Sequence, residues 1–463
     1  MDIADPNYID SGELREQDRV PLDEYLADSD RAGPDSLRGR PFFSGREAEV
    51  STFRRMVNAI ALGRKSNATI AVEGPPGAGK SALLCQFLEE LRALPPVGSP
   101  PRRWLPVLVD GAEAMRPAAI VDAVDGAIIT RLAEDAVRSE REVDRSRFAE
   151  CLAEFLGQES VQEAKIFAES VLDRGVSVFG LNVGAKMGEP HPNVLRDVPR
   201  SRSPRWKDWQ IMLMIDEAQS ISAEDANADR ALLSTLHQGV LPLNMTFCAF
   251  GLPGTFDALA DAGVSRLLAD AAIDLRGLDD ESAAKVVDRC FAQYGLVDDG
   301  TWRDAILARS CNWPQHLSAH LTAALKAVQA RAGRGHDLGA PPDCLAQALE
   351  SGDRLRSKYY NARLRTLTRT GQNHLECARH LLPMLRGEGG NAPESAIHDA
   401  LGAPPLRLSA AASHAFLKAA KHSGLLTPGE LPGTVHLAIP TFAGHVLGEA
   451  PEPLPEPARA SAP

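Results

Sequence analysis

The chain has 463 residues, a formal net charge of -12 and a hydrophobic fraction of 44%. This length exceeds what one hydrophobic core usually holds, so we expect two or three domains. A charged fraction of 24% is typical of a globular protein and excludes disorder throughout the chain. Because the net charge repels polyanions, any contact with nucleic acid requires a local basic patch.

The N-terminal residues and the cysteines indicate the cellular compartment in which the protein is expected. The segment MDIADPNYID is acidic and lacks an apolar run, which predicts no signal peptide. No apolar stretch approaches the roughly 20 residues that span a bilayer. The seven cysteines are scattered and form no C-x-x-C pair, which predicts free thiols in a reducing compartment. We therefore expect a cytoplasmic protein without membrane contact, whose acid-rich residues 1–40 are flexible.

The first predicted strand, ATIAVE, leads directly into the loop GPPGAGKS and then into an amphipathic helix. In this context the pattern G-x-x-x-x-G-K-[ST] indicates a phosphate-binding P-loop. Its glycines let backbone N–H groups point at phosphate oxygens, and the helix N-terminus adds its positive dipole end. We expect Lys80 to reach the β- and γ-phosphates and Ser81 to ligate Mg²⁺. The predicted nucleotide-binding set is Gly74, Pro75, Pro76, Gly77, Ala78, Gly79, Lys80, Ser81 and Leu83.

Lys80 and Asp216 lie unusually far apart in the sequence, which predicts an insertion of about residues 131–209 between them. Its segment FAECLAEFLGQESVQEAKIFAESVL has helical periodicity, and GVSVFGLNVGAKMG alternates in a way that predicts a hairpin. The insertion closes with the basic, proline-broken PRSRSPRWKDW. Two interpretations stay open, a loop that faces a partner or DNA and a solvated excursion from the surface.

A second motif follows in WQIMLMIDEAQS, where five apolar residues precede Asp216 and Glu217. Such a run predicts a parallel strand buried on both faces, with its acids at the carboxyl end where ligands bind in open α/β sheets. We expect Asp216 to hold Mg²⁺ and Glu217 to orient and polarise the attacking water. Together with the P-loop, this acid pair predicts one site that binds and hydrolyses ATP, and it disfavours a P-loop protein without turnover.

With these motifs, PFFSGREAEVSTFRRMV, TFCAFGLPGT and VSRLLADAAIDLRGL resemble segments of the AAA+ class of P-loop ATPases. The similarity is to its initiator/origin-recognition-like and transposition-ATPase-like branches and to the neighbouring STAND signalling ATPases. The resemblance implies an α/β fold, a P-loop NTPase αβα sandwich over residues 41–278, in which the segment from Pro41 to Val57 lies against the adenine. It also implies a homo-oligomer in which Arg266 is the arginine finger for a neighbouring subunit.

Two departures from the family pattern predict weaker sensing of the γ-phosphate without loss of ATP binding. The sensor strand usually ends in Asn, Ser or Thr, but here it runs into Gly251 and Leu252, and Thr255 is the nearest hydroxyl. The lid motif G-x-P-R becomes CNWPQH, so that Gln315 or His316 replaces the sensor arginine.

Residues 279–345 are predicted to form a helical lid, with Asp279 or Asp280 as its first N-cap. His316 and His320 are four residues apart on one helix, but no third ligand is evident. We therefore interpret them as histidines on the helix surface. Residues 346–370 form a basic connector around Tyr359 and Tyr360. Its cations are Arg354, Arg356, Lys358, Arg363, Arg365 and Arg369.

Residues 371–447 predict a winged-helix domain, and the proline-rich residues 448–463 predict a disordered tail. The predicted order is a helix kinked at Pro383, a short helix, a third helix from a Ser409 cap to Gly424, and a hairpin. On the third helix one face carries the side chains that a major-groove helix would present. These are His414, Lys418, Lys421 and His422. A winged domain used only for protein contacts or autoinhibition explains the pattern equally well.

Two functions follow from these predictions. The first is a DNA-associated AAA+ ATPase that uses ATP and Mg²⁺ and serves a mobile element, replication or anti-phage defence. The alternative is a STAND-like signalling ATPase whose nucleotide state controls a separate effector protein, since no effector domain is visible in the sequence.

Overall fold

The structure is a computed structural model of the chain, and it divides into two compact units. The P-loop unit comprises Met1–Glu47, Gly74–Ala82 and Leu275–Pro463, and the sheet unit comprises Ala48–Glu73 and Leu83–Asp274. The residues that the structure describes are 44–62, 69–94, 103–111, 126–133, 136, 144–156, 176–178, 181–183, 209–220, 244–255, 271–294, 296, 298, 300–332, 342–369, 371, 373–387, 390–429, 431 and 433–449.

A five-stranded parallel sheet in the order β2-β5-β6-β1-β7 forms the centre of the sheet unit. The strands are β1 (Thr69–Glu73), β2 (Arg103–Asp110), β5 (Trp209–Asp216), β6 (Asn244–Gly251) and β7 (Ala271–Asp274). The apolar run of β5 is fully buried from Ile211 to Met214, because a parallel strand covered on both faces buries both faces. The P-loop NTPase α/β fold predicted from the sequence is confirmed.

Two helices flank the P-loop along the chain, α1 (Glu47–Ala61) and α2 (Lys80–Ala93). Within the sheet unit they are joined by Phe53 and Phe87, whose rings stack with centroids 3.9 Å apart. Arg54 donates two hydrogen bonds to the Glu90 carboxylate, at 2.6 and 2.8 Å. This bidentate geometry is the strong form of an arginine–carboxylate pair.

The insertion contains α3 (Arg145–Leu156) and an antiparallel hairpin of β3 (Val176–Val178) and β4 (Leu181–Val183). The predicted hairpin is therefore present. The rest of the predicted helix after Leu156 and the basic segment at 199–208 lie outside the described residues. Both interpretations of the insertion stay predictions.

The first described helices after β7 belong to the P-loop unit. They are α4 (Asp280–Gln293), α5 (Thr301–Ser310), α6 (Pro314–Ala332) and α7 (Pro342–Arg369). Asp279 is the N-cap of α4, because its carboxylate accepts hydrogen bonds from Ser282 N at 2.7 Å and Ser282 Oγ at 2.9 Å. These bonds lower the pKa of Asp279. Because α7 runs without interruption through residue 345, the predicted boundary between lid and connector falls inside one helix.

The interpretation of His316 and His320 as surface residues is wrong. They are 0% and 1% exposed, because α6 packs between α5 and α7. The His316 ring meets the Tyr360 ring edge-on at 5.2 Å, and His320 Nε2 lies 3.6 Å from Asp353 Oδ1. In the part of the chain that the structure describes, no group of three or more His, Cys, Asp or Glu side chains could hold a metal ion.

The C-terminal module, residues 374–449, contains four helices and a three-stranded antiparallel sheet in the order β8-β10-β9. Its elements are α8 (His374–Gly387), β8 (Asn391–Pro393), α9 (Glu394–Gly402), α10 (Ala410–Ser423), β9 (Leu426–Pro428), β10 (Thr434–Leu437) and α11 (Pro440–Leu447). Ser409 caps α10 and Gly424 ends it in the left-handed conformation, as predicted. The sequence analysis did not predict β8. The assignment of this arrangement as a winged-helix domain stays a prediction.

Among all the helices described, none combines the length and the apolar character that crossing a membrane requires.

The buried histidines predict a pH dependence of stability. Burial, together with the charge of Arg356, lowers the pKa of His316 and of His320 to about 3. The unfolded chain takes up these protons below about pH 6.5 while the folded chain does not. The stability contributed by the neutral rings is therefore complete above pH 6.5. As the pH falls toward 3, it is lost at up to about 1.4 kcal/mol per pH unit for each ring.

We expect the midpoint temperature of thermal unfolding to decrease when the pH is lowered from about 7.5 to about 5.5. In the double variant His316→Leu, His320→Leu the decrease should be smaller. The control is His380→Leu at an exposed position of α8, in which the midpoint temperature should change with pH as it does in the unchanged chain. Equal changes in the two variants would contradict the assignment of this pH dependence to His316 and His320.

Candidate functional site

The P-loop backbone curls at two glycines. Gly77 and Gly79 have φ values of +78° and +96°, a left-handed region that glycine enters at little cost. A Cβ placed on Gly77 would also lie within 2.9 Å of side-chain atoms of Trp313, Gln315 and Tyr359. Both the conformation and the close approach of the P-loop unit's own helices therefore require glycine at position 77.

Lys80 is folded against the loop that precedes it. Its Nζ donates to the carbonyl oxygens of Gly74, at 2.7 Å, and Pro75, at 3.2 Å. The side chain is only 7% exposed. These two carbonyls fix the ammonium beside the loop, where a positive charge favours phosphate oxygens.

The next three carbonyl oxygens of the loop accept from other parts of the P-loop unit. Pro76 O accepts from the Tyr359 hydroxyl at 2.5 Å, and Gly77 O accepts from the backbone N–H of Gln315 at 3.2 Å. Ala78 O accepts from the Arg46 guanidinium at 3.0 Å. A loop that points its N–H groups at an anion turns its carbonyls the other way, and those carbonyls need donors of their own. All five carbonyls from Gly74 to Ala78 have one.

This arrangement fits the phosphates of a nucleotide. The loop combines left-handed glycines, a fixed ammonium and the start of α2 at Lys80, the combination that binds phosphate in P-loops. Ser81 lies in the first turn of α2 and is partly exposed. Leu83 is fully buried, so its side chain packs in a hydrophobic core.

In the sheet unit, Asp216 ends β5 and Glu217 follows with a φ of +51°. This left-handed conformation is uncommon for a residue with a side chain and, in general, persists only where the surroundings impose it. Asp216 is 7% exposed and its Oδ1 accepts from Glu217 N at 2.9 Å. Glu217 itself is exposed, as a residue that meets water must be.

The sequence analysis missed Gln219, which connects two strand ends. Its Nε2 donates to the Glu217 carboxylate, and its Oε1 accepts from Leu252 N at 3.0 Å. Gln219 therefore restrains the predicted general base from the end of β6. The sequence signal that could have identified Gln219 is its position in IDEAQS, two residues after Glu217. The hydroxyl of Thr255, the predicted substitute sensor, donates to Leu252 O at 2.5 Å and is buried in that turn.

Of the predicted residues, 74–81 lie together in the P-loop unit, and Leu83, Asp216 and Glu217 lie in the sheet unit. Arg266 lies outside the described residues, as does the start of the predicted adenine segment at 41–43. Of the two candidates for the sensor position, Gln315 contacts the P-loop through its backbone, whereas His316 is buried in the lid helices.

The fold and the loop define a P-loop NTPase, and comparison with known families makes the class more specific. The family model of the AAA ATPase domain matches residues 43–246. This range includes both the P-loop and the Asp216–Glu217 pair, and the match confirms the resemblance to AAA+ P-loop ATPases. A search of the curated proteins finds no match.

A search of the solved structures finds several that are similar to this chain. The Walker-type ATPase PABY2304 of Pyrococcus abyssi is 16% identical, with a TM-score of 0.48 over 88% of this chain and 96% of that chain. The ORC2 protein of Aeropyrum pernix is 11% identical, with a TM-score of 0.44 over 87% and 94%. The ORC1 protein of Aeropyrum pernix, solved in complex with DNA, is 16% identical, with a TM-score of 0.39 over 88% and 93%. At these identities and scores the likenesses carry no argument about function.

The path of the backbone at Glu217 generates a prediction at Gly111, which follows β2. A Cβ on Gly111 would lie 2.4 Å from the carbonyl oxygen of Glu217, a backbone atom that cannot move without displacing Glu217. We expect Gly111→Ala to lower the turnover of ATP by about 10-fold or more while the affinity for ATP stays within about two-fold.

The control is Gly126→Ala in the helical residues 126–133, where an added Cβ meets nothing within 4 Å. Steady-state ATPase assays and calorimetric titration with ATP measure the two effects. Unchanged turnover in Gly111→Ala would show that the placement of Glu217 does not limit hydrolysis.

Proposed function

We propose that the protein binds and hydrolyses ATP and that its nucleotide state acts as a switch, with duplex DNA as the partner of its C-terminal half. The P-loop supports this proposal most strongly, because each carbonyl oxygen from Gly74 to Ala78 accepts a hydrogen bond, as a loop that points its N–H groups at an anion requires. The AAA ATPase domain supports nucleotide-dependent ATPase activity.

In this proposal Lys80 binds the β- and γ-phosphates, and Ser81 and Asp216 ligate Mg²⁺. When bound, Mg²⁺ neutralises the charge that develops on the transferred phosphoryl group. Glu217 orients a water molecule and accepts a proton from it. As this happens, the water oxygen forms a bond to the γ-phosphorus, and the bond between that phosphorus and the β-γ bridging oxygen breaks. Gln219 keeps the Glu217 carboxylate in place through its amide.

Replacing Glu217 by Gln should separate binding from turnover. Glu217→Gln removes the proton acceptor but keeps the size of the side chain, so we expect ATP to bind normally and hydrolysis to slow by roughly 100-fold or more. Lys80→Ala removes the cation on the phosphates and should abolish ATP binding.

Calorimetry with ATP and Mg²⁺ measures binding, and release of phosphate measures turnover. Tight ATP binding by Lys80→Ala would contradict the P-loop assignment. Full turnover by Glu217→Gln would contradict only the role of the general base.

The proposal also includes a homo-oligomer in which Arg266 is the arginine finger for a neighbouring subunit. This part of the proposal rests on the family resemblance alone.

Duplex DNA is proposed as a partner because of a basic stripe on α7, formed by Arg354, Lys358, Arg365 and Arg369. All four side chains are exposed. At 3.6 residues per turn they fall within about 60° of one another around the helix axis, over roughly 22 Å of its length. Such a row is suited to the phosphates of one DNA backbone.

Other cations predicted to face DNA have partners inside the protein. Arg356 is buried and lies 2.8 Å from Asp353, and Arg363 lies over the Tyr359 ring at 5.4 Å. On α10, Lys421 forms an ion pair with Glu394 at 2.6 Å. His414, Lys418 and His422 are exposed on that helix.

Reversing the four charges of the basic stripe to Glu should abolish binding to duplex DNA and leave ATP hydrolysis intact. Binding by the unchanged chain should weaken with salt, with a logarithmic slope of about -0.9 for each phosphate contacted.

Because the reversals also make a negatively charged chain more negative, the control reverses four exposed cations elsewhere, Arg55, Arg145, Arg147 and Lys285. Fluorescence anisotropy with a labelled duplex distinguishes the two variants. Equal binding by both, or no binding by the unchanged chain, would favour the alternative in which the C-terminal module contacts a protein.

A further inference from the structure

Pro76 of the P-loop is contacted by two elements that come much later in the chain. The Tyr359 hydroxyl on α7 donates to its carbonyl oxygen at 2.5 Å. At the end of α10, Gly424 lies so close that an added Cβ would be 2.6 Å from Cδ of Pro76. Tyr359, Gly424 and Pro76 all belong to the P-loop unit.

The Tyr359 ring is held in position by its neighbours. Arg363, one helical turn further along α7, lies over the ring at 5.4 Å, and the His316 ring meets it edge-on at 6.0 Å. Burial raises the pKa of Tyr359 to about 12. The phenol is therefore protonated at neutral pH and can donate to the carbonyl.

The adjacent residue on α7 contacts the C-terminal module. Tyr360 and Thr441 join their hydroxyl groups at 2.5 Å, and the Tyr360 ring stacks on Phe442 with centroids 5.3 Å apart. Two consecutive tyrosines of α7 therefore make different contacts. Tyr359 contacts the P-loop, and Tyr360 contacts α11.

From these contacts we infer that the phosphate-binding conformation of the P-loop depends on α7 and α10, with Tyr359 as a positioning residue for the nucleotide. Without its hydroxyl the Pro76 carbonyl loses its donor, and a buried carbonyl without a donor favours a different backbone conformation. The phosphate-binding arrangement of the N–H groups around it then becomes less populated. The inference rests on the proposed binding of ATP by this loop.

The contacts also have a consequence in the other direction. If α7 and α10 stabilise the loop, a ligand of the C-terminal module that moves either helix must change the affinity for ATP. ATP must then change the affinity for that ligand by the same factor, because coupling between two binding sites is reciprocal.

The first test removes the hydroxyl and keeps the ring. Tyr359→Phe should raise the dissociation constant of ATP by about 5- to 10-fold, the effect of one lost hydrogen bond to a buried carbonyl. At saturating ATP the turnover should stay within about two-fold, because Tyr359 does not touch the reacting atoms.

The control for this test is Tyr360→Phe, which loses a hydroxyl contact from the same helix but leaves Pro76 untouched. We expect its affinity for ATP to stay within about two-fold of the unchanged chain.

The second test uses two glycines that end helices in the same module. Gly424 and Gly448 have φ values of +77° and +75°, so replacement by Ala strains both backbones alike. An added Cβ would meet Pro76 only at Gly424, since nothing lies within 4 Å at Gly448. We expect Gly424→Ala to weaken ATP binding by at least about 5-fold relative to Gly448→Ala.

Calorimetric titration of all four variants with ATP and Mg²⁺ decides between the outcomes, and their thermal unfolding shows that each is folded. Weaker binding by Tyr359→Phe or Gly424→Ala than by its own control supports the inference. Binding as tight as the control in both pairs overturns it, although the proposed ATP site stands. If the unchanged chain binds no ATP, the proposed function fails as well.

Discussion

A loop that binds phosphate with its N–H groups must turn its carbonyl oxygens away from the phosphate, and each buried carbonyl then needs a donor. In this protein the P-loop supplies only part of that need through Lys80, which covers the carbonyls of Gly74 and Pro75. The remaining donors come from Arg46, Gln315 and Tyr359. The conformation of the loop is therefore a property of the whole P-loop unit.

The acid pair in the sheet unit is restrained in a comparable way. Glu217 has a backbone conformation that is unfavourable for a residue with a side chain, and neighbouring groups keep it there. Gly111 leaves room for its carbonyl, and Gln219 holds its carboxylate. A general base needs a defined direction toward water, and these contacts supply one without changing the motif that the sequence shows.

The sequence predicted best where the chemistry is continuous along the chain. The strand, loop and helix around Lys80 are consecutive, and Asp216 and Glu217 directly follow an apolar run, so local patterns were sufficient. Tyr359 could not be predicted, because it lies 283 positions after Pro76 in the chain and a tyrosine among arginines is typical of a basic surface.

His316 and His320 were misassigned because α6 is buried on most of its faces, so helical periodicity cannot distinguish an inner from an outer position. The same ambiguity affected α7, where the structure separates the exposed Arg354, Lys358, Arg365 and Arg369 from the internally paired Arg356 and Arg363.

The central claim is that α7 and the P-loop respond together to nucleotide, and amide hydrogen exchange of the unchanged chain tests it most directly. With ATP and Mg²⁺ present, exchange should slow in the peptides that cover the P-loop and also in those that cover Pro342–Arg369. The Lys80→Ala chain treated in the same way should show neither change. Slower exchange confined to the P-loop and the helix that follows it would contradict the claim.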